Sequence, residues 1–167
     1  MKKKMLFLVI PLLFLVACTM SNTPTSKVEE LFTKYQTLDT DIDNGISSVL
    51  EEQNLSESQK ERYRKILENQ YRNLTYQIKD ELIDGNTATV TVEIEVIDLK
   101  RTINDLVFDS SIYTKETYDE EKLNRLEQAK DKVKYTLDLT VTKVENGDEW
   151  KLNALTNEEI KKIQGMY

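Results

Sequence analysis

Histidine is absent from this chain, and cysteine occurs once, proline twice and glycine four times in 167 residues. The lack of histidine removes the commonest general base, metal ligand and pH switch. With Cys18 as the only cysteine, no intramolecular disulfide can form, and no Cys/His or Ser/His/Asp arrangement can exist. The glycines fall in turn-like positions or at ends, so no glycine-rich phosphate loop is present. No metal or other cofactor is expected. Carboxylate, tyrosine and lysine chemistry stays open. Long apolar runs are missing too. The longest, Met5 to Val16, has about twelve residues, short of the roughly twenty that span a bilayer.

What is present begins at the N-terminus. Lys2, Lys3 and Lys4 form a positive region ahead of that apolar run, as in a secretory signal. Leu15-Val16-Ala17-Cys18 follows. This quartet resembles the lipobox of bacterial lipoproteins. The resemblance implies cleavage before Cys18, where the peptidase admits only a small residue at Ala17. It also implies a diacylglyceryl thioether on the sulfur and acylation, such as palmitate, of the new amino group. Several acyl chains anchor stably where one is marginal. Residues 1–17 are then a signal peptide and residues 18–25 a lipidated tether that includes Pro24. The expected location is the extracytoplasmic face of the cell membrane. In a two-membrane cell, Thr19 in place of an acidic retention residue permits transfer to the outer membrane.

Removing Lys2 to Lys4 from the 23 basic residues leaves 20 against 30 acidic ones, a net of −10. Such a body repels phosphate backbones, so nucleic acid is excluded as a partner class. The same charge keeps it off anionic lipid except through its acyl groups. Residues 26–167 have the size of one domain with one core.

Along that domain, Ser26 and Glu29 form a capping box, and Val28, Leu31, Phe32, Tyr35 and Leu38 keep helical spacing. The spacing predicts a helix over 27–38. A weaker helical pattern, interrupted by Gly45, spans 40–53, and a third helix is predicted over 57–71 with Ser56 and Gln59 as its cap. Alternation then replaces the helical period. Leu74, Tyr76, Ile78 and Leu82 precede the turn Asp84-Gly85-Asn86, and Ala88, Val90, Val92, Ile94 and Val96 follow it. A three-residue loop pairs Ile83 with Thr87, Leu82 with Ala88, Ile78 with Val92 and Asp80 with Val90. Every apolar residue then lies on one face, and the other face is wet. Residues 100–115 have no period. Thr117 and Glu120 cap a helix to about Lys130. A second hairpin follows, Val133 to Lys143 and Trp150 to Ala154, joined through Asn146-Gly147. The register sets Val141 against Leu152, Leu139 against Ala154 and Lys143 against Trp150. Thr156 and Glu159 cap a closing helix with Ile160 and Ile163 inward.

The fold class is α+β, an antiparallel curved sheet of four or more strands packed on N-terminal helices. The helix 28–32, the hairpin 84–92 and the closing segment 145–152 make the domain similar to the nuclear transport factor 2-like fold. That resemblance implies a cone-like sheet wrapped around helices, with an interior pocket. The helix at 117–130 departs from the pattern and is expected to cover or fill the cone. A cystatin-like helix on a sheet is the alternative.

Asp39, Asp41 and Asp43 invite a calcium-loop reading, but Gly45 is one position late and Leu50 stands where a bidentate Glu is required. Asp80 and Asp98 lie on the inward register near opposite ends of the first hairpin, as candidate pocket-lining carboxylates that do not form a pair. Leu106 and Phe108, with Ile103 and Val107, are apolar yet aperiodic and are expected to rim or cover the opening. The functional expectation is a membrane-anchored lipoprotein whose body binds a protein or a small apolar ligand. The alternative is a small enzyme using a carboxylate or tyrosine in the cone.

Overall fold

The computed structural model describes residues 22–145 and 147–167. The leader and Cys18 lie outside the described residues, as does Asn146 of the second turn. Helix α1 spans Pro24–Thr37. It starts three residues earlier than the periodicity implies because the N-cap is Thr23, whose hydroxyl accepts from the Ser26 N–H, with Ser26 returning the bond. Pro24 at the first helical position loses nothing there, since that N–H has no helical partner anyway.

Helix α2, Thr40–Glu52, runs through Gly45 and through the acidic stretch. The calcium-loop reading therefore fails on geometry. Asp39 is the helix cap, Asp41 pairs with Lys34 at 3.8 Å and Asp43 with Arg64 at 2.8 Å. Helix α3, Glu57–Arg72, has the expected cap, Ser56 with Gln59.

The sheet has four antiparallel strands in the order β1 (Thr75–Asp84), β2 (Thr87–Ile97), β3 (Lys132–Lys143), β4 (Trp150–Leu152), and it is open. Between β2 and β3 lie the short helix α4, Leu99–Thr102, and α5, Lys115–Gln128; α6, Asn157–Ile163, closes the chain. The expected α5 cap, Thr117 with Glu120, is replaced by Thr114 with Thr117. Thr156 with Glu159 caps α6 as expected.

The register of the second hairpin agrees with expectation at Val141↔Leu152 and Lys143↔Trp150. Because β4 stops at Leu152, Leu139 has no ladder partner at Ala154. The first hairpin agrees at Tyr76↔Ile94 and Ile78↔Val92, but not beyond. A two-residue turn pairs Asp84 with Thr87, and a bulge between Ile78 and Asp80 absorbs the extra residue. Past the bulge each side chain of β1 changes face. Leu82, expected inside, is 68 % exposed, and Asp80 sits opposite Thr91 on the wet face.

Alternation on β2 and β3 is complete. Val90, Val92, Ile94, Leu137 and Leu139 are buried with Val28, Phe32, Leu67 and Tyr71 from the helices. On the outer face Lys79 and Lys134 both pair with Glu93, Lys132 pairs with Glu95, and the Thr91 hydroxyl donates to Asp138. A second, smaller cluster joins Ile66, Leu99, Leu123 and Leu126 under α3 and α5. Among the described residues no helix is long and apolar enough to cross a membrane.

Candidate functional site

The connection from β2 to α5 leaves the sheet at the end opposite its two turns. Asp98 is the cap of α4. Its carboxylate accepts from the Arg101 N–H at 2.9 Å, and its own N–H donates to the Asp131 carbonyl. Asp80 is likewise bound locally, to the N–H of Glu81. The two candidate carboxylates are thus each engaged locally and do not meet.

Aromatic side chains fill the interior between α1, α3 and β1. Phe32 stacks on Tyr76 with ring centres 4.7 Å apart, and Tyr35 meets Tyr71 edge to face at 4.9 Å. Burial pushes the Tyr35, Tyr63 and Tyr71 phenols up from their ordinary range. They are neutral core residues, the reverse of what a tyrosine base requires. Among the described residues, no group of three or more His, Cys, Asp or Glu could hold a metal ion.

Several hollows mark the surface, among them an open, mainly polar one of about 650 Å³ between α2 and α3. Another, of about 60 Å³, is lined by Leu55, Tyr63, Lys115, Asp119 and Leu123 and is too small for an ordinary organic ligand. A third, about 500 Å³, is an open trough between α1 and β4, with Leu31, Trp150 and Leu152 on its floor and Lys27, Lys34 and Lys151 among its walls.

The connection itself divides into an anchored part and a presented part. Leu106 is 9 % exposed, and its carbonyl accepts from the Tyr118 hydroxyl at 3.2 Å. Tyr118 also meets Phe108 and Tyr113 edge to face, at 5.4 and 5.8 Å. Asp109 ties the loop tip by accepting from the Ser111 N–H and hydroxyl, which hold its carboxyl below the usual range. Upon that frame Val107 is 73 %, Phe108 49 % and Ile112 70 % exposed. The segment packs beside α5, where Leu106 is buried and Val107, Phe108 and Ile112 form an outward apolar ridge. Ile103 packs against the second cluster.

Beneath the ridge, α5 is fastened to α3. Arg62 donates to Glu127 at 2.7 and 2.8 Å, to Glu120 at 2.6 Å and to Asn124 at 2.7 Å. Buried Gln59 donates to Glu120 at 3.0 Å. Sequence reasoning missed Ile112, Tyr113 and Tyr118. The available signal was two tyrosines just after an aperiodic apolar stretch, and it was obscured by placing the α5 cap three residues late, at Thr117. Comparison of the chain with protein-family models, curated proteins and solved structures gives no match.

Proposed function

We propose that the chain is an extracytoplasmic lipoprotein, held to the membrane by acylated Cys18, whose folded body works by binding a protein partner. The leader and lipobox support the anchor. The carrying observation for binding is the ridge of Val107, Phe108 and Ile112, exposed although Tyr118 and Asp109 fix the segment. A convex apolar surface suits another protein's surface better than a small ligand, which needs a concavity. Aromatic anchors are characteristic of interface centres.

The test is photo-crosslinking on intact cells, with a benzophenone amino acid replacing Phe108 or, as a control, the exposed Lys130. A discrete adduct at 108 and none at 130 is expected. Changing Val107 and Ile112 to Ser should remove the adduct without altering the melting curve. Cys18→Ala should accumulate unprocessed precursor and lose the adduct. Equal labelling at both positions, or none at 108, defeats the binding reading. Normal processing and unchanged detergent partitioning of Cys18→Ala defeat the anchor.

A further inference from the structure

Asn22, the first described residue, is fixed to the turn end of the sheet. Its Nδ2 donates to the Asp148 carbonyl at 2.8 Å, and its Oδ1 accepts from the Trp150 N–H at 2.9 Å. Three residues on, the Thr25 N–H and hydroxyl donate to Glu81 Oε2 of β1 at 2.9 and 2.6 Å. The two turns are themselves joined, since the Lys143 N–H donates to the Asn86 carbonyl at 2.8 Å. The chain thus enters the body between the β1–β2 and β3–β4 turns.

Four residue steps separate Cys18 from Asn22. Even fully extended they reach at most about 14 Å. Strand β2 has eleven residues, so the opposite end of the sheet lies roughly 36 Å away. Three of the exposed large apolar side chains among the described residues, Leu82, Ile83 and Val144, are at the turn end, at 68, 52 and 44 % exposure.

From this placement we infer that the paired turns form a membrane-resting face, with Leu82, Ile83 and Val144 in contact with the headgroup layer of the bilayer that holds Cys18. This rests on the lipid-anchor reading above. The short tether supplies the proximity. The apolar side chains supply what the net charge of the body would otherwise oppose. Asp84, Glu145, Asp148 and Glu149 around the same turns keep the contact at headgroup depth, because carboxylates are costly to bring into hydrocarbon. The connection that carries the 107–113 ridge leaves the sheet at the other end.

The test uses residues 18–167 coupled through Cys18, the chain's only thiol, to a maleimide lipid in phosphatidylcholine vesicles. Amide hydrogen exchange is compared with that of thiol-blocked protein mixed with plain vesicles. Coupling should slow exchange at least threefold in the two turns and leave residues 98–106 and 128–132 unchanged. Replacing Leu82, Ile83 and Val144 together with Ser should keep the melting temperature and remove the slowing. A twenty-residue Gly/Ser spacer after Ser21 should weaken it. Slowing at 98–106 instead, slowing nowhere, or slowing that survives the triple substitution overturns the inference. Because the anchor is imposed chemically, these outcomes do not depend on acylation in the cell; failure of acylation would sink the lipoprotein reading alone.

Discussion

Gln70 does for Ile97 what a strand would do. Strand β1 begins at Thr75, opposite Glu95, so the end of β2 has no neighbour on that side. The buried Gln70 carboxamide fills the gap, donating to the Ile97 carbonyl at 2.9 Å and accepting its N–H at 3.0 Å. Gly165 closes over this pair. Its φ of +67° favours glycine, and a Cβ there would lie 2.0 Å from the Ile97 carbonyl oxygen and 2.4 Å from Gln70 Nε2. Gln70→Ala should cost about 2 kcal/mol by stranding buried backbone groups. Gly165→Ala should cost at least about 2 kcal/mol through strain and collision. Urea unfolding of both single variants and the double should show the double cheaper than their sum, because they share one contact. The sequence shows Gln70 on an inward helical face and Gly165 near the chain end. It cannot show that they meet, since that depends on where β1 starts.

Among the elements, α5 is bound by charge as well as by Leu123 and Leu126. One of its charged faces grips α3 through Arg62. The guanidinium holds the Glu127 carboxyl below its ordinary range. A carboxylate lowered on folding adds stability above its unfolded pKa, and that contribution disappears as pH falls through the lower folded value. Arg62→Ala should therefore cost up to about 1 kcal/mol near neutral pH, since the pairs are partly exposed. It should also flatten the loss of stability in acid, as pH falls through the lowered Glu127 range. Thermal melting across pH 3–7 checks both. If the variant falls as steeply in acid as the parent, the pairing is not the source. The capping boxes at Ser56 and Thr156 were legible because cap and helical period agreed. At Thr114 and Thr23 two hydroxyls compete within three residues, and only the chain's path chooses between them.

On the scale of the molecule there are two apolar clusters with different sheets of cover. The larger rests on β2 and β3, whose strict alternation made Val92 and Leu139 readable as buried and Asp138 as exposed. The buried residues of the smaller come from α3, α4 and α5, with Ile97 of β2 and Met166 packed against them. Leu139→Ala should lower global stability by about 2–5 kcal/mol and speed exchange throughout the slowest amides. Leu123→Ala should speed exchange chiefly in α4 and α5, because a cluster with few sheet contacts opens as its own unit. Equal acceleration of β2 and β3 by Leu123→Ala would show one cooperative body instead.

The bulge at Lys79 also bears on how copies of the chain behave toward one another. Strand β1 is ten residues long and borders the sheet, so its outer backbone groups could template a further strand. The bulge breaks its repeat after Ile78, and Lys79, Asp80, Glu81 and Asp84 leave little apolar length in register. Where copies of the chain meet side by side, that kinked and charged border denies them a straight ribbon to extend. One irregular residue step in β1 thereby opposes polymerisation.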